Sequence, residues 1–384
     1  MLMSDLGPAV QHLVEKTTTG GKDWELREAV DGVLRAFNPK DQKATAAAMN
    51  ALGKALKKTD GRPAQVLLLA IGALVESGAT PELAWPAVEH DLVNTFKGAV
   101  VFAQQCLKRV DHLALEEAVK SEREPVKKKF PKETAYWDLL RSRCITATAC
   151  LARSHELRES VRKSPKYLKA CNALIDYVEE VTAFSRVLYL CWREPLLVIH
   201  PEARKGWRFE MNDLSTNTEL YVLLLDHIIG DPKKGQLPGK RPNPKAVLTV
   251  KDPDNAPKKV QEQDVPFHTL AWSGILPDGT LPDPKGDKVE HYNWVWLEGI
   301  PIEIPIFENE RVILLQGPVM KRTVEVPVPY AALFPTLKAK GKVSGPEVDK
   351  LLAKMTKASA QLRKTRKPPK MGLPMKPEGL LAWD

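Results

Sequence analysis

Helix-start signals recur through the first hundred residues at a nearly constant interval, near residues 4, 23, 41, 63 and 81. A spacing of about 20 residues is one helix plus its turn, so helical hairpins recur about every 40 positions. After Ser4, an N-cap type, Leu6, Val10, Leu13 and Val14 fall on one helical face. Leu26, Ala29, Val30, Val33, Leu34 and Phe37 repeat the pattern and stop at Asn38-Pro39. Asp41 to Lys58 is an alanine-rich third helix with Ala48, Leu52 and Leu56 on one face. Gly61-Arg62-Pro63 then precedes Ala64 to Glu76, apolar nearly all round and therefore central.

Thr80-Pro81-Glu82 is the clearest start, combining a capping hydroxyl, a proline at the first helical position and an acid in the first turn. Pro86 should kink or stop that helix, which then resumes through Val100 to Val110. A basic break from Pro125 to Lys132 leads to two long helices, Glu133 to Lys163 and from Ser164-Pro165 to Trp192. No side-chain identity recurs with the spacing. The first half therefore reads as an all-α domain, either a stacked helical array or an irregular bundle.

The pattern changes at Glu194-Pro195. Leu196 to Ile199 and Trp207 to Met211 read as short strands, and Thr218 to Ile229 as a helix. Asp231 to Pro244 is a linker dense in Pro, Gly and Lys. Further strands are expected at 246–250, 267–272, 292–297, 300–307, 311–316 and 323–328. Pro301, Pro305, Pro327 and Pro329 each remove a ladder donor, which suits edge or bulged strands. Ser344-Gly345-Pro346-Glu347 has the residue types of a capping box. It opens a helix with Val348, Leu351, Leu352, Met355 and Leu362 along one stripe.

The expected architecture is multidomain, α plus α+β. Residues 1–195 form the all-α helical domain and 196–335 a mostly-β or α+β domain with Pro-rich loops. An amphipathic C-terminal helix, 336–363, and a basic, Pro-rich disordered tail, 364–384, complete the chain. Absence of regular βαβ alternation argues against a doubly wound enzyme fold.

Charge is distributed unevenly: net −1 over residues 1–120, +6 over 121–205, −4 over 206–335 and +8 over the last 49. That asymmetry admits a polyanionic partner as well as a merely solubilising tail. No apolar run is long enough for a bilayer, and Met1 to Gln11 lacks the pattern of a signal peptide. Cys106, Cys144, Cys150, Cys171 and Cys191 are odd in number and lack C-x-x-C spacing. Buried thiols in a cytoplasmic protein, without membrane association, are the expectation.

Chemical motifs fail on inspection. Gly20-Gly21-Lys22 and the run from Gly235 to Lys240 lack the glycine spacing and hydroxyl of a phosphate loop. His155-Glu156 lacks a second histidine four residues on, and nothing matches a nucleophile elbow. His200, His227, His268 and His291, with Asp226, Asp264, Glu290 and Glu298 nearby in sequence, could form a hydrolase-type site only if the fold gathers them. No catalytic residue, metal ligand or cofactor is assigned.

Candidate binding residues are of two kinds. Tyr292, Trp294 and Trp296 alternate, so an extended backbone places them on one side, to fill a core or to stack against a ligand. Lys127, Lys128 and Lys129, and Arg363, Lys364, Arg366 and Lys367, are cation clusters suited to phosphate. The leading expectation is a non-enzymatic interaction or adaptor protein with a protein partner. Nucleic-acid association through the basic helices 121–205 and the tail is the first alternative, and a hydrolase-type enzyme the second.

Overall fold

The computed structural model describes residues 5–110, 114–283, 293–317, 322–329 and 333–365. The chain divides into two compact units, with the change between Leu188 and Tyr189.

Eleven helices of the first unit fall among the described residues. The first six are α1 Leu6–Thr19, α2 Asp23–Ala36, α3 Gln42–Leu56, α4 Gly61–Glu76, α5 Pro81–Glu89 and α6 Leu92–Leu107. After them come α7 Leu115–Lys129, α8 Pro131–Arg153, α9 His155–Arg162, α10 Pro165–Asn172 and α11 Glu179–Leu188. Several starts are the ones the sequence signals: Asp41 caps α3 by accepting from Ala44 N, and Pro81 opens α5. α4 and α6 are buried along most of their length because both pack on α8, which also meets α5 and α11. Close approach is enabled by small residues, with Gly72 of α4 against Thr146 and Gly98 of α6 against Tyr136.

The basic break expected at 125–132 is instead mostly helix. Pro125 lies inside α7, which continues to Lys129 because Ala118 and Val126 bury against Phe102 and Cys106 of α6. One lost backbone hydrogen bond costs less than that burial contributes. Both long helices also break. Ser154 ends α8 and caps α9 by accepting from Leu157 N, and a turn over Ala173–Val178 separates α10 from α11. Serine competes with the helix for its own backbone, so it interrupts a periodic pattern without disturbing it.

The second unit is a mixed sheet between helices. Its strands are β1 Glu194–His200, β2 Lys205–Asn212, β3 Gln261–Asp264, β4 His268–Ala271, β5 Ile306–Phe307, β6 Glu310–Gln316, β7 Thr323–Val326 and β8 Thr336–Val343. Its helices are α12 Asn217–Ile228, α13 Pro244–Lys251 and α14 Gly345–Thr365. The sheet runs β4-β6-β1-β2-β8, with β5 added on β6, while β3 and β7 form a separate ribbon. β1 and β6 are parallel and the other pairs antiparallel. Trp207, Phe209 and Met211 of β2 join Leu220, Leu224 and Ile228 of α12 in one core. Leu197 and Ile199 of β1, Val312 and Leu314 of β6, and Val348, Leu351 and Met355 of α14 form a second core on the opposite face. α14 is fastened at its far end, where Ser359 Oγ donates to the carbonyls of Ser273 (2.7 Å) and Ile275 (2.8 Å).

Four expected elements differ, and the strand expected at 292–297 is one of them: its described residues carry only an isolated bridge at Trp294. Residues 246–250 are in helix α13, started by Pro244 after Asn243, whose side chain accepts from Lys245 N at 3.0 Å. The capping pair outweighs the β-propensity of Val-Leu-Thr-Val. Residues 300–307 form a 3-10 turn, Pro301–Glu303, and only the short β5. Residues 336–343 are strand β8, and the C-terminal helix begins at Gly345. The tail from residue 366 lies outside the described residues.

Candidate functional site

The aromatic segment is fixed by the N-terminus of α12. Thr216 and Glu219 form a capping box there, with Glu219 N donating to Thr216 Oγ1 and Thr216 N to Glu219 Oε2, each at 3.2 Å. Residues next to the cap then hold the chain that crosses them. Asn217 Nδ2 donates to Trp296 O at 2.7 Å, Thr218 Oγ1 to Leu297 O at 2.9 Å, and Asn217 N to Gly299 O at 2.8 Å. On the other side Val295 N donates to Thr269 O at 2.9 Å, and Thr269 Oγ1 returns a bond to Val295 O at 2.7 Å.

Burial consequently alternates from 293 to 298 although the segment is no strand: residue 293 lies in a 3-10 turn, 297–298 form a turn, and only Trp294 makes a ladder bridge, to Leu270. Asn293, Val295 and Leu297 are buried, while Trp294 is half-buried and Trp296 is 47% exposed. The two indole rings lie 6.3 Å apart, tilted by 38°. His268 stands edge-on to Trp294 at 5.1 Å. Burial, reinforced by Arg322, holds the His268 pKa below its ordinary value, so this ledge carries no imidazolium charge near neutrality. Arg322 itself pairs with Glu298. Tyr292, the third residue of the row, lies outside the described residues.

The two cation clusters belong to different units. Lys127, Lys128 and Lys129 are exposed on the last turn of α7, where positive charge complements the helix dipole. Arg363 and Lys364 end α14, and Arg363 Nη2 donates to Gly274 O at 3.2 Å, so it joins the helix to the fold. Arg366 and Lys367 lie outside the described residues.

The histidines are not gathered. His200 accepts from Ala203 N at 3.1 Å and faces Phe267, His227 faces Phe209, and His268 faces Trp294. His291 is outside the described residues. Among the described residues no three His, Cys, Asp or Glu side chains are placed to hold a metal ion. No helix there is long and apolar enough to cross a membrane.

Sequence reasoning passes over one feature. The loop from Ile229 to Pro244 borders two clefts, of about 760 and 450 Å³, that share Arg241. The smaller is lined by Lys234 and Lys342 as well, residues far apart in the chain. The only trace in the sequence is the alternation Lys338, Lys340, Lys342, which a strand pattern makes unremarked surface.

No protein-family model matches the chain, and no curated protein or solved structure is similar to it.

Proposed function

We propose that the chain is a non-enzymatic interaction protein that receives a protein partner on the Trp294–Trp296 ledge of its second unit. The observation that carries this reading is the exposure of Trp296 on a backbone fixed from both sides by Asn217, Thr218 and Thr269. Large aromatic side chains on rigid supports lose little conformational freedom on binding, and Trp dominates interface energetics for that reason. An apolar or proline-bearing segment of a partner fits two tilted rings better than a charged one does. A cytoplasmic location accords with Cys106, Cys144, Cys150, Cys171 and Cys191 being buried free thiols.

The test is capture of partners from the native lysate by the tagged full chain, with Trp296→Ala and Trp24→Ala compared under a high-salt wash. Trp24 is an exposed tryptophan of the first unit and serves as the control. A stoichiometric protein retained by wild type and Trp24→Ala, and reduced about tenfold by Trp296→Ala, is the expected result. The same partner on all three, or nucleic acid that leaves with salt, overturns the ledge as the docking site.

A further inference from the structure

The edge strand β8 carries a bulge with a chemical consequence. Arg208 pairs with Gly341 and Phe209 with Ala339, so Lys340 is an extra residue opposite the β2 ladder. Side chains alternate along a strand, and one inserted residue exchanges the faces beyond it. Leu337 and Ala339 lie on the α12 face, opposite Met211 and Phe209, and after the bulge Lys342 joins them there, opposite Trp207. Without the bulge Lys342 would sit on the α14 face with Lys338.

Lys338 and Lys340 already suffice to guard an exposed edge against pairing with another chain. Lys342 is turned instead into the cleft of about 450 Å³ between β2, β8, His227 and the Ile229–Pro244 loop. Three cations line that cleft, Lys234, Arg241 and Lys342, and no carboxylate does. Among the described residues neither Lys234 nor Arg241 is ion-paired. Lys342 Nζ donates to the Lys234 carbonyl, and Lys205 Nζ to the Gln236 carbonyl at 2.6 Å, so each ammonium is held by a neutral acceptor that leaves its charge unanswered. The Arg241 guanidinium rests over Gly230, where an added Cβ would meet its Nη2 at 3.1 Å. Ala339 and Gly341 leave the room above Trp207 and Phe209 that makes the cleft.

Like charges converging in a concave wall of low polarity raise the local potential and favour an anion that answers them. A guanidinium fork beside ammonium groups matches the several oxygens of a phosphoryl group better than the two of a carboxylate. We propose that this cleft is a binding site for a phosphate-bearing anion, held by Arg241, Lys234 and Lys342 against the Trp207–Phe209 wall. The site shares no residue with the tryptophan ledge and stands without it. Two sources can supply the group, a small phosphate compound or the backbone of a single-stranded nucleic acid. The cleft volume is in the range of small-molecule sites and exceeds what one phosphoryl group fills.

Calorimetric titration of the full chain at low salt, with inorganic pyrophosphate and separately with an oligothymidylate, tests this. Arg241→Gln and Lys342→Gln are compared with Lys338→Gln on the opposite face, and all are checked by thermal melting. Saturable binding that weakens about tenfold in the first two variants and is unchanged in the third is expected. Pyrophosphate that binds and displaces the oligonucleotide assigns the cleft to small phosphates. Oligonucleotide binding that alone shows the variant pattern assigns it to nucleic acid. The proposal is overturned if neither probe binds more tightly than about 1 mM, or if both cleft variants bind as wild type does.

Discussion

Arg311 of β6 donates through Nε to Glu194 Oε2 of β1 at 3.1 Å, beside the parallel pairing of Leu196 with Arg311 itself. Its Nη1 also donates to the carbonyls of Ile302 (2.6 Å) and Ile304 (2.8 Å). One guanidinium thus joins the central strands to the 3-10 turn that precedes β5. Arg311→Met removes every one of these bonds and leaves half-buried acceptors, at a cost of about 2–4 kcal/mol. Glu194→Gln keeps the turn contacts and should cost about 1 kcal/mol or less, because Glu194 is partly solvated. Urea unfolding of both variants measures the difference, and equal losses would place the energy in the ion pair.

Two helix glycines predict opposite signs. A Cβ at Gly98 would lie 2.2 Å from Tyr136 Cδ2 and 2.9 Å from its Cβ and Cγ, so Gly98→Ala must displace the ring. The cost should be about 1–3 kcal/mol. Gly32 of α2 has nothing within 4 Å, so Gly32→Ala should stabilise by up to about 1 kcal/mol through helix propensity alone. Thermal melting of the two variants checks both signs.

The thiols should be inert. Burial pushes Cys106 up to about 11, Cys150 and Cys171 up to about 12, and Cys144 well above the usual thiol range. Thiolate is the reactive form, so at pH 8 the folded chain should label more slowly than the unfolded one by about two orders of magnitude or more. Disulfide-exchange labelling with and without guanidinium reads this directly. A thiol that reacts within seconds in the native state would contradict it.

Acid should destabilise the second unit through its histidines. Burial holds His200, His227 and His268 below their ordinary pKa of 6.5. The unfolded chain begins to take up protons near pH 6.5 while the folded chain does not, so stability falls as pH drops below that point and is unaffected above about 7. Each histidine contributes at most about 1.4 kcal/mol per pH unit. Urea midpoints at pH 7.5, 6.5 and 5.5 should show the decline, with a shallower slope in His200→Gln. An unchanged slope in that variant would remove His200 from the account.

Local chemistry was legible where one residue decides the outcome. Asp41 and Pro81 start helices, and the change at Glu194-Pro195 is the first residue of β1. Elements decided by partners were not. Pro125 is carried inside α7 by burial of Val126, and Ala246–Val250 is helical because Asn243 and Pro244 precede it. β8 is a strand because β2 is there to pair with it, in a segment whose lysines alternate but whose Lys, Ala and Gly residues are poor strand formers. The alternation of Trp294 and Trp296 could be read without a ladder, since it belongs to any extended chain. Which face Lys342 occupies could not, since that depends on a single extra residue in an unannounced register.

The central parallel ladder also sets an order of assembly. Leu196 and its neighbour Arg311 are about 115 positions apart, and Phe209 and Ala339 about 130. During synthesis, β1 and β2 leave the ribosome as a hairpin with both long edges open, long before β6 and β8 exist to cover them. Contacts of such sequence separation form slowly in any case. Through that interval the β2 edge is guarded against foreign strands by its own charges, Lys205, Arg208 and Glu210, while the apolar β1 edge waits for β6. Residues that later serve ion pairs with Glu310 and Lys340 therefore first act as a temporary guard on a nascent chain.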